Sequence, residues 1–399
     1  MVSPLSVPPP AALTPVREKF LPFNRASFDE SEEQELVATL RSGWLTTGPR
    51  TKQFEADFAA YQQTKHAIGL NSCTAGLHLA LLALGVGPGD EVITTPHTFA
   101  ATCNVIVHVG ATPVLADIEP DTLNLDPAHV ETLITPRTRA IVPVHFAGHP
   151  VAMPAFRALR DRHGVALIHD AAHATESLSA GKSIASDGDI TCFSFYATKN
   201  LATGEGGMLT TNDDAIADRV RMLSLHGMSR DAWKRYTESG YQHYDVAEPG
   251  FKYNMFDLQA ALGLHQLRKL EGFWARRQFL ARRYGAALAD LPGIRLMGVR
   301  PDVRTAHHLY VIRLDPDIGI SRDAFMAGMQ QQHIGVGVHF RPVHFLSYYR
   351  DRFGWTPEMW PVASLAGEQC VSLPLDPGLT EADQDDVVTA VRRLLAASH

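Results

Sequence analysis

From residue 66 onward the chain alternates short β-branched runs with helical stretches, and no other feature restricts its fold as much. The runs are "HAIGL", "EVITT", "TPVLAD", "RAIVPVHF", "VALIHD", "DITCFSF" and "GMLTT", separated by patterns such as "TAGLHLALLAL" and "VAMPAFRALRDRHG". Near-continuous apolar strands alternating with helices predict an α/β fold, with a mostly parallel sheet covered on both faces. Ligands of such sheets sit at the carboxyl ends of the strands.

The chain has 399 residues, long enough for two domains. Past the helical stretch "LQAALGLHQLRKLEGFWARRQFLARRYGAALADL" the texture changes. There "HLYVIRL" and "HIGVGVHF" read as strands, and "EADQDDVVTAVRRLLAA" as a closing amphipathic helix. The expected organisation is a flexible tail over 1–16, a large domain over 17–264 and a smaller C-terminal α+β domain over 265–399. Between tail and sheet, "SFDESEEQELVATLRSG" predicts a helix with a serine cap, acids in its first turn and Gly43 as its stop.

Composition removes several classes of function. A net charge of −7 with no clustered Lys/Arg stripe argues against nucleic acid as the main partner, which leaves small molecules or a second copy. Cys73, Cys103, Cys192 and Cys370 form no C-x-x-C pair, which suits a reducing cytoplasm. The start "MVSPLSVPPPAALTPVREKF" holds too much proline and too short an apolar run for a signal peptide or a membrane span. His307, His308, His339 and His344 come without a metal-ligand pattern, so no metal is expected.

The chemistry concentrates around "FSFYATKNLATGEGG", where a strand delivers Lys199 to a glycine-rich turn. "GVALIHDAAHA" ends a second strand in Asp170, at the same expected edge. An amine and a carboxylate together suit pyridoxal phosphate, whose aldehyde condenses with a lysine and whose ring nitrogen needs a carboxylate to stay protonated. Ser72 to Thr74 precede a strongly helical run, so the N–H groups of Thr74 and Ala75 would face a phosphate, with the Ser194 hydroxyl added. Phe99, just after "EVITT", is placed to lie against the ring. Taken singly, each residue has an ordinary reading: Lys199 as a solvated loop lysine, Asp170 as a helix cap, His173 as a structural histidine, Phe99 as core, Ser194 as a strand residue facing a polar gap.

The ordered set "NSCTAGLHLAL", "EVITTPHTFAATCNVI", "HDAAHA", "FSFYATKNLATGEGG" and "LQAALGLHQL" resembles the DegT/DnrJ/EryC1/StrS sugar aminotransferases. The resemblance implies the fold of aspartate aminotransferase, fold type I of the pyridoxal phosphate enzymes. "LHGMSRDAWKRY", "PGFKYNMFDLQAALGL" and "HFRPVHFLSYYRDRFG" look most like the branch that aminates C4 of UDP-linked 4-keto sugars. It further implies that Lys199 is the Schiff-base lysine and proton carrier, Asp170 the partner of the pyridine nitrogen, and His173 a neighbour of the phenolic oxygen. Thr74, Ala75 and Ser194 would hold the phosphate, and His339 and Thr47 would belong to the sugar-nucleotide pocket. Two departures stand out. Cys73 replaces a small residue in the phosphate turn, and "GFKYNM" puts Lys252 and Asn254 where many members have Asn and Arg. The family's contact at that position reaches the neighbouring subunit's cofactor, which implies a homodimer.

The expected activity is transfer of an amino group from glutamate to the keto carbon, most simply C4, of a UDP- or dTDP-ketosugar. It would run as a ping-pong cycle through pyridoxamine phosphate. An aminotransferase for a cyclitol or another non-nucleotide ketone is the nearer alternative, and a non-catalytic pyridoxal phosphate-binding regulator the more distant one.

Overall fold

The computed structural model describes residues 14–186, 190–228 and 245–397. Most of the proline-rich tail, and the part of "LHGMSRDAWKRY" from residue 229 on, lie outside the described residues. Seven strands form the main sheet: β1 (His66–Leu70), β2 (Glu91–Thr94), β3 (Thr112–Leu115), β4 (Thr138–Val142), β5 (Ala166–Asp170), β6 (Ile190–Ser194) and β7 (Gly207–Thr211). Each coincides with one of the seven runs read from the sequence. Their order is β1-β7-β6-β5-β4-β2-β3. Only β7 runs against the rest, pairing antiparallel with both β1 and β6 while the other pairs are parallel.

Both faces of this sheet are dry, as the unbroken apolar runs require. Neighbouring residues of one strand feed opposite cores: Phe193 packs with Phe54 and Phe58 on one side, Cys192 with Leu70 and Leu77 on the other. The rings of Phe58 and Phe193 meet edge to face, 5.1 Å apart. Truncating Phe193 to alanine would cost about 3–5 kcal/mol. The same alternation turns Ser194 toward the helix Cys73–Ala83, which covers the second face.

The C-terminal unit has a three-stranded sheet of β8 (Ile294–Leu296), β9 (Tyr310–Leu314) and β10 (Cys370–Leu373), with the helices Arg322–Gln331 and Glu381–Ala396. The boundary expected at residue 265 falls inside the helix Asp257–Leu288. Ala260, Leu264 and Leu270 of that helix enter the first core, while Leu280, Tyr284 and Leu288 enter the C-terminal core. Leu21, expected in the large domain, also joins the C-terminal core and exchanges backbone hydrogen bonds with His333 and Gly335.

Two local readings are corrected. "HIGVGVHF" is not a strand: Ile334 and Gly337 make only isolated bridges, to Leu21 and Ser372. A segment pinned at both ends to different partners has no ladder to extend. The helix Glu30–Ser42 is capped by Asp29, not by a serine. The Asp29 carboxylate accepts from the Ser31 N–H and Glu32 completes a capping box, while Gly43 ends the helix at φ 71° as expected. No helix among the described residues is long and apolar enough to cross a membrane.

Candidate active site

A cavity of about 460 Å³ opens at the carboxyl ends of β1, β2, β5 and β6. Thr74, Phe99, Asp170, His173, Ser194, Lys199 and His339 line it. These residues span 265 positions of sequence, and the parallel strands bring them to one edge.

Lys199 sits on an excursion whose ends are tied to one residue. Phe195 donates its N–H to the Gly206 carbonyl at 2.9 Å and accepts from the Thr203 N–H at 2.8 Å, and within the loop the Lys199 N–H reaches the Tyr196 carbonyl at 2.8 Å. The loop therefore holds the amine where the strand left it. Because β7 runs backward, its first residues return to the cavity edge. A Cβ on Gly207 would lie 2.3 Å from the Ser72 carbonyl carbon, so only glycine lets β7 pass the phosphate turn. Burial lowers the pKa of Lys199 to about 8, against the opposing charge of Asp170 and the Cys73 thiol. An amine so placed has a substantial neutral fraction near pH 7, which nucleophilic attack and proton abstraction both need.

Asp170 is 6% exposed, and burial raises its pKa. Three neighbours support the carboxylate against that penalty. Thr102 donates its hydroxyl to Oδ2 at 2.9 Å, the Ala172 N–H reaches Oδ1 at 3.2 Å, and the Cys73 thiol lies 3.9 Å from Oδ1. Burial and Asp170 together push the Cys73 thiol well above its usual range, so it stays protonated and acts as a weak donor.

Ser72 caps the helix Cys73–Ala83, its hydroxyl accepting from the Ala75 N–H at 3.1 Å. The Ala75 donor is thus engaged within the chain, and Ala75 does not line the cavity. The N–H groups of Cys73 and Thr74 precede the first intrahelical bond, made by Gly76 to the Ser72 carbonyl, and carry the helix's positive end. Phe99 is 64% exposed, its ring standing free over the cavity 6.0 Å from Phe340. His173 and His339 both stay neutral. Burial and Lys199 hold His339 at about 4 and His173 well below 6.5.

Three expected residues lie elsewhere. Lys252 Nζ donates to Asn254 Oδ1 at 2.7 Å, Asn254 Nδ2 donates to Thr47 Oγ1 at 2.7 Å, and the Thr47 hydroxyl donates to the Met255 carbonyl. None of the three lines the cavity. Sequence reasoning missed Thr102, Cys73 as a donor to Asp170, Tyr196 and His308. Thr102 had a signal: it falls in the first turn of the helix that follows β2, at the active edge.

The residues present fit pyridoxal phosphate. A buried amine, a supported carboxylate, a helix N-terminus with hydroxyls beside it and an exposed aromatic face meet in one cavity of suitable size.

The model of the DegT/DnrJ/EryC1/StrS aminotransferase family matches residues 26–392. The spore coat polysaccharide biosynthesis protein SpsC of Bacillus subtilis is 50% identical over 381 residues, covering 95% of this chain and 98% of that protein. Among solved structures, the "Putative sugar aminotransferase" of Streptococcus pneumoniae in its PLP form is 33% identical with a TM-score of 0.87, covering 95% of this chain and all of that one; it is also solved in a PMP form. PseC of Helicobacter pylori, an aminotransferase in pseudoaminic acid biosynthesis, is 27% identical with a TM-score of 0.88, covering 95% of this chain and 100% of that one.

Proposed function

The chain belongs to the DegT/DnrJ/EryC1/StrS aminotransferase family, and we propose that it moves an amino group from glutamate to C4 of a nucleotide-linked ketosugar. It is a pyridoxal phosphate-dependent enzyme. When bound, the cofactor supplies an aldehyde that takes up amines and a ring that withdraws electrons from the adjacent carbon.

The observation that carries the reading is the meeting of Lys199 and Asp170 in one cavity, with the Thr74 helix start beside them. Lys199 Nζ would tether the cofactor through its aldehyde and, once released, would accept the proton leaving the amino donor and give it back. The lowered Lys199 pKa keeps that nitrogen able to accept. Asp170, its oxygens fixed by Thr102 and Ala172, would hold the ring nitrogen protonated. The N–H groups of Cys73 and Thr74 with the Ser194 hydroxyl would hold the phosphate, and Phe99 would cover the ring. His173 would lie beside the phenolic oxygen.

Keto acid leaves after the first half-reaction and the sugar enters for the second, so the kinetics are ping-pong. The PLP and PMP forms of the streptococcal relative agree with such a cycle. The polysaccharide role in the name of the B. subtilis relative, and the pseudoaminic acid pathway named for PseC, favour a sugar acceptor. His339, braced by Ser372 Oγ at 2.9 Å, belongs to the sugar-nucleotide pocket. The working unit is a cytoplasmic homodimer in which Lys252, Asn254 and Thr47 serve the partner's site.

Purified yellow protein is bleached with glutamate, freed of excess donor and offered 4-keto UDP- and dTDP-sugars one at a time. Return of the visible band with one of them supports the reading and identifies its nucleotide. A protein that bleaches but never recovers transfers its amine to another class of ketone.

A further inference from the structure

Behind the cavity lies a polar layer of which the reaction described above uses only His173. Glu176, Asn200, His308 and His173 are 1%, 4%, 4% and 6% exposed; the first three are hydrogen-bonded in turn, and the His308 and His173 rings lie tilted against each other. Asn200 Nδ2 donates to both Glu176 oxygens, at 2.9 and 3.0 Å, and to the Ala306 carbonyl at 2.9 Å. Three acceptors on one side fix the amide, so its Oδ1 faces His308 Nδ1 at 3.0 Å and must accept. His308 therefore carries its proton on Nδ1 and keeps a bare Nε2. His173 is set the opposite way. Its Nδ1 accepts from the Ala147 N–H at 3.3 Å, which leaves the proton on Nε2. The two rings lie 4.4 Å apart, and both line the cavity.

We propose that Glu176 is a positioning residue: through Asn200 it locks His308 in the Nδ1–H tautomer, so that the cavity meets one imidazole donor, His173, beside one imidazole acceptor, His308. A donor and an acceptor side by side suit a ligand group with one lone pair and one proton, such as a hydroxyl of the cofactor or of the sugar. Without Asn200, His308 is free to place its proton on Nε2, and the cavity then meets two donors. Burial keeps both rings uncharged, so the pattern does not reset with protonation near neutral pH. The proposal rests on this cavity's being the aminotransferase site.

The test uses [¹⁵N]histidine-labelled holoenzyme, in which long-range proton–nitrogen correlations report the tautomer of each ring, together with the glutamate half-reaction. Wild type is expected to show His308 as Nδ1–H and His173 as Nε2–H. In Asn200→Ala, His308 is expected to populate Nε2–H, and the rate of bleaching to fall roughly tenfold to a hundredfold, the range in which outer partners of an oriented imidazole act. Glu176→Gln keeps an oxygen for Asn200 and should recover most of the rate, whereas Glu176→Leu should behave like Asn200→Ala. Because both Glu176 variants remove one counter-charge of the buried Arg277, and Glu176→Leu also takes both acceptor oxygens from Asn200 and is liable not to fold, Asn200→Ala decides the matter. A His308 that stays wholly Nδ1–H in a folded Asn200→Ala protein overturns the proposal, as does a wild-type His308 found as Nε2–H. A wild type that glutamate does not bleach refutes the proposed function instead, and leaves the tautomers as measured.

Discussion

Two clusters of residues singled out from the sequence contrast sharply in the structure. Lys199, Asp170, His173, Ser194 and Thr74 gather in one cavity, braced by neighbours from the same chain: Thr102, Ala172, Cys73 and Ala147. Thr47, Lys252 and Asn254 gather outside that cavity and bond mainly to one another. The first set is finished within one chain. The second is organised outside the cavity, and the proposed function assigns it to the site of a partner copy. In the cavity cluster desolvation displaces the protonation of Lys199, Asp170 and His173, whereas Lys252 is exposed on a hydrogen-bonded support.

The contrast predicts the largest losses inside the cavity. Lys199→Ala should abolish the covalent cofactor colour and reduce turnover by about 10⁴-fold, since nucleophile and proton carrier go together. Turnover and difference spectra measure both, and full activity would remove Lys199 from the chemistry. Asp170→Ala should retain some cofactor but lose roughly 10²–10³ in rate, as for removal of one stabilising group at a developing charge. A rate near wild type would show that the ring nitrogen finds its partner elsewhere.

Acid should also separate the two clusters. His97, His149 and His169 are buried, with pKa values lowered by desolvation to about 3, 4 and 3, and burial holds His173 and His308 well below their ordinary value. A base depressed on folding stabilises above its unfolded pKa, near 6.5, and loses that contribution as pH falls toward the folded value. Between pH 6.5 and about 4 each such histidine removes up to about 1.4 kcal/mol per pH unit. Glu176, raised by burial to about 7, has the opposite history. Its contribution is present below pH 4.5 and is lost as pH rises to about 7, so it offsets a single histidine. Denaturant titrations from pH 7 to 4.5 should thus show stability falling steeply; a flat profile would mean that these rings are already solvated.

Legibility followed the same division. All seven strands of the main sheet could be read because a strand buried on both faces writes itself as an unbroken apolar run. Lys199 and Asp170 were legible because topology puts every parallel strand's carboxyl end at one edge. What escaped depended on contacts between distant segments. Thr102 supports Asp170 across 68 positions of sequence, and Asn200 joins Glu176 to His308 from three separate segments. The strand reading of "HIGVGVHF" failed because periodicity supplies a face but no partner. Ala75, expected to bind phosphate through its N–H, instead gives that N–H to the cap at Ser72, an exchange the helix-start pattern does not disclose.

The outer cluster offers a smaller effect with a sharper logic. Lys252→Ala should weaken cofactor retention about tenfold, the scale of one charge-assisted contact. Mixing it with Lys199→Ala then asks whose site Lys252 serves. If the contact is made in trans, a hybrid dimer pairs the intact Lys199 of one copy with the intact Lys252 of the other, and one site recovers. If it is made in cis, no site in the hybrid carries both residues and mixing restores nothing.

The smallest effect concerns Thr47, which the sequence placed in the substrate pocket and the structure places under Asn254. Valine preserves the shape of threonine but lacks the hydroxyl that accepts from Asn254 Nδ2 at 2.7 Å. One hydrogen bond at a half-buried site is worth about 0.5–1.5 kcal/mol, so Thr47→Val should cost about threefold in cofactor retention. If Thr47 works only by holding Asn254, and through it the Lys252 ammonium, then its effect should vanish when Lys252 is already alanine. If the same threefold loss persists in the double variant and appears in the KM for the sugar, Thr47 meets the substrate directly. The outer cluster would then act as two separate contacts and no longer as one support.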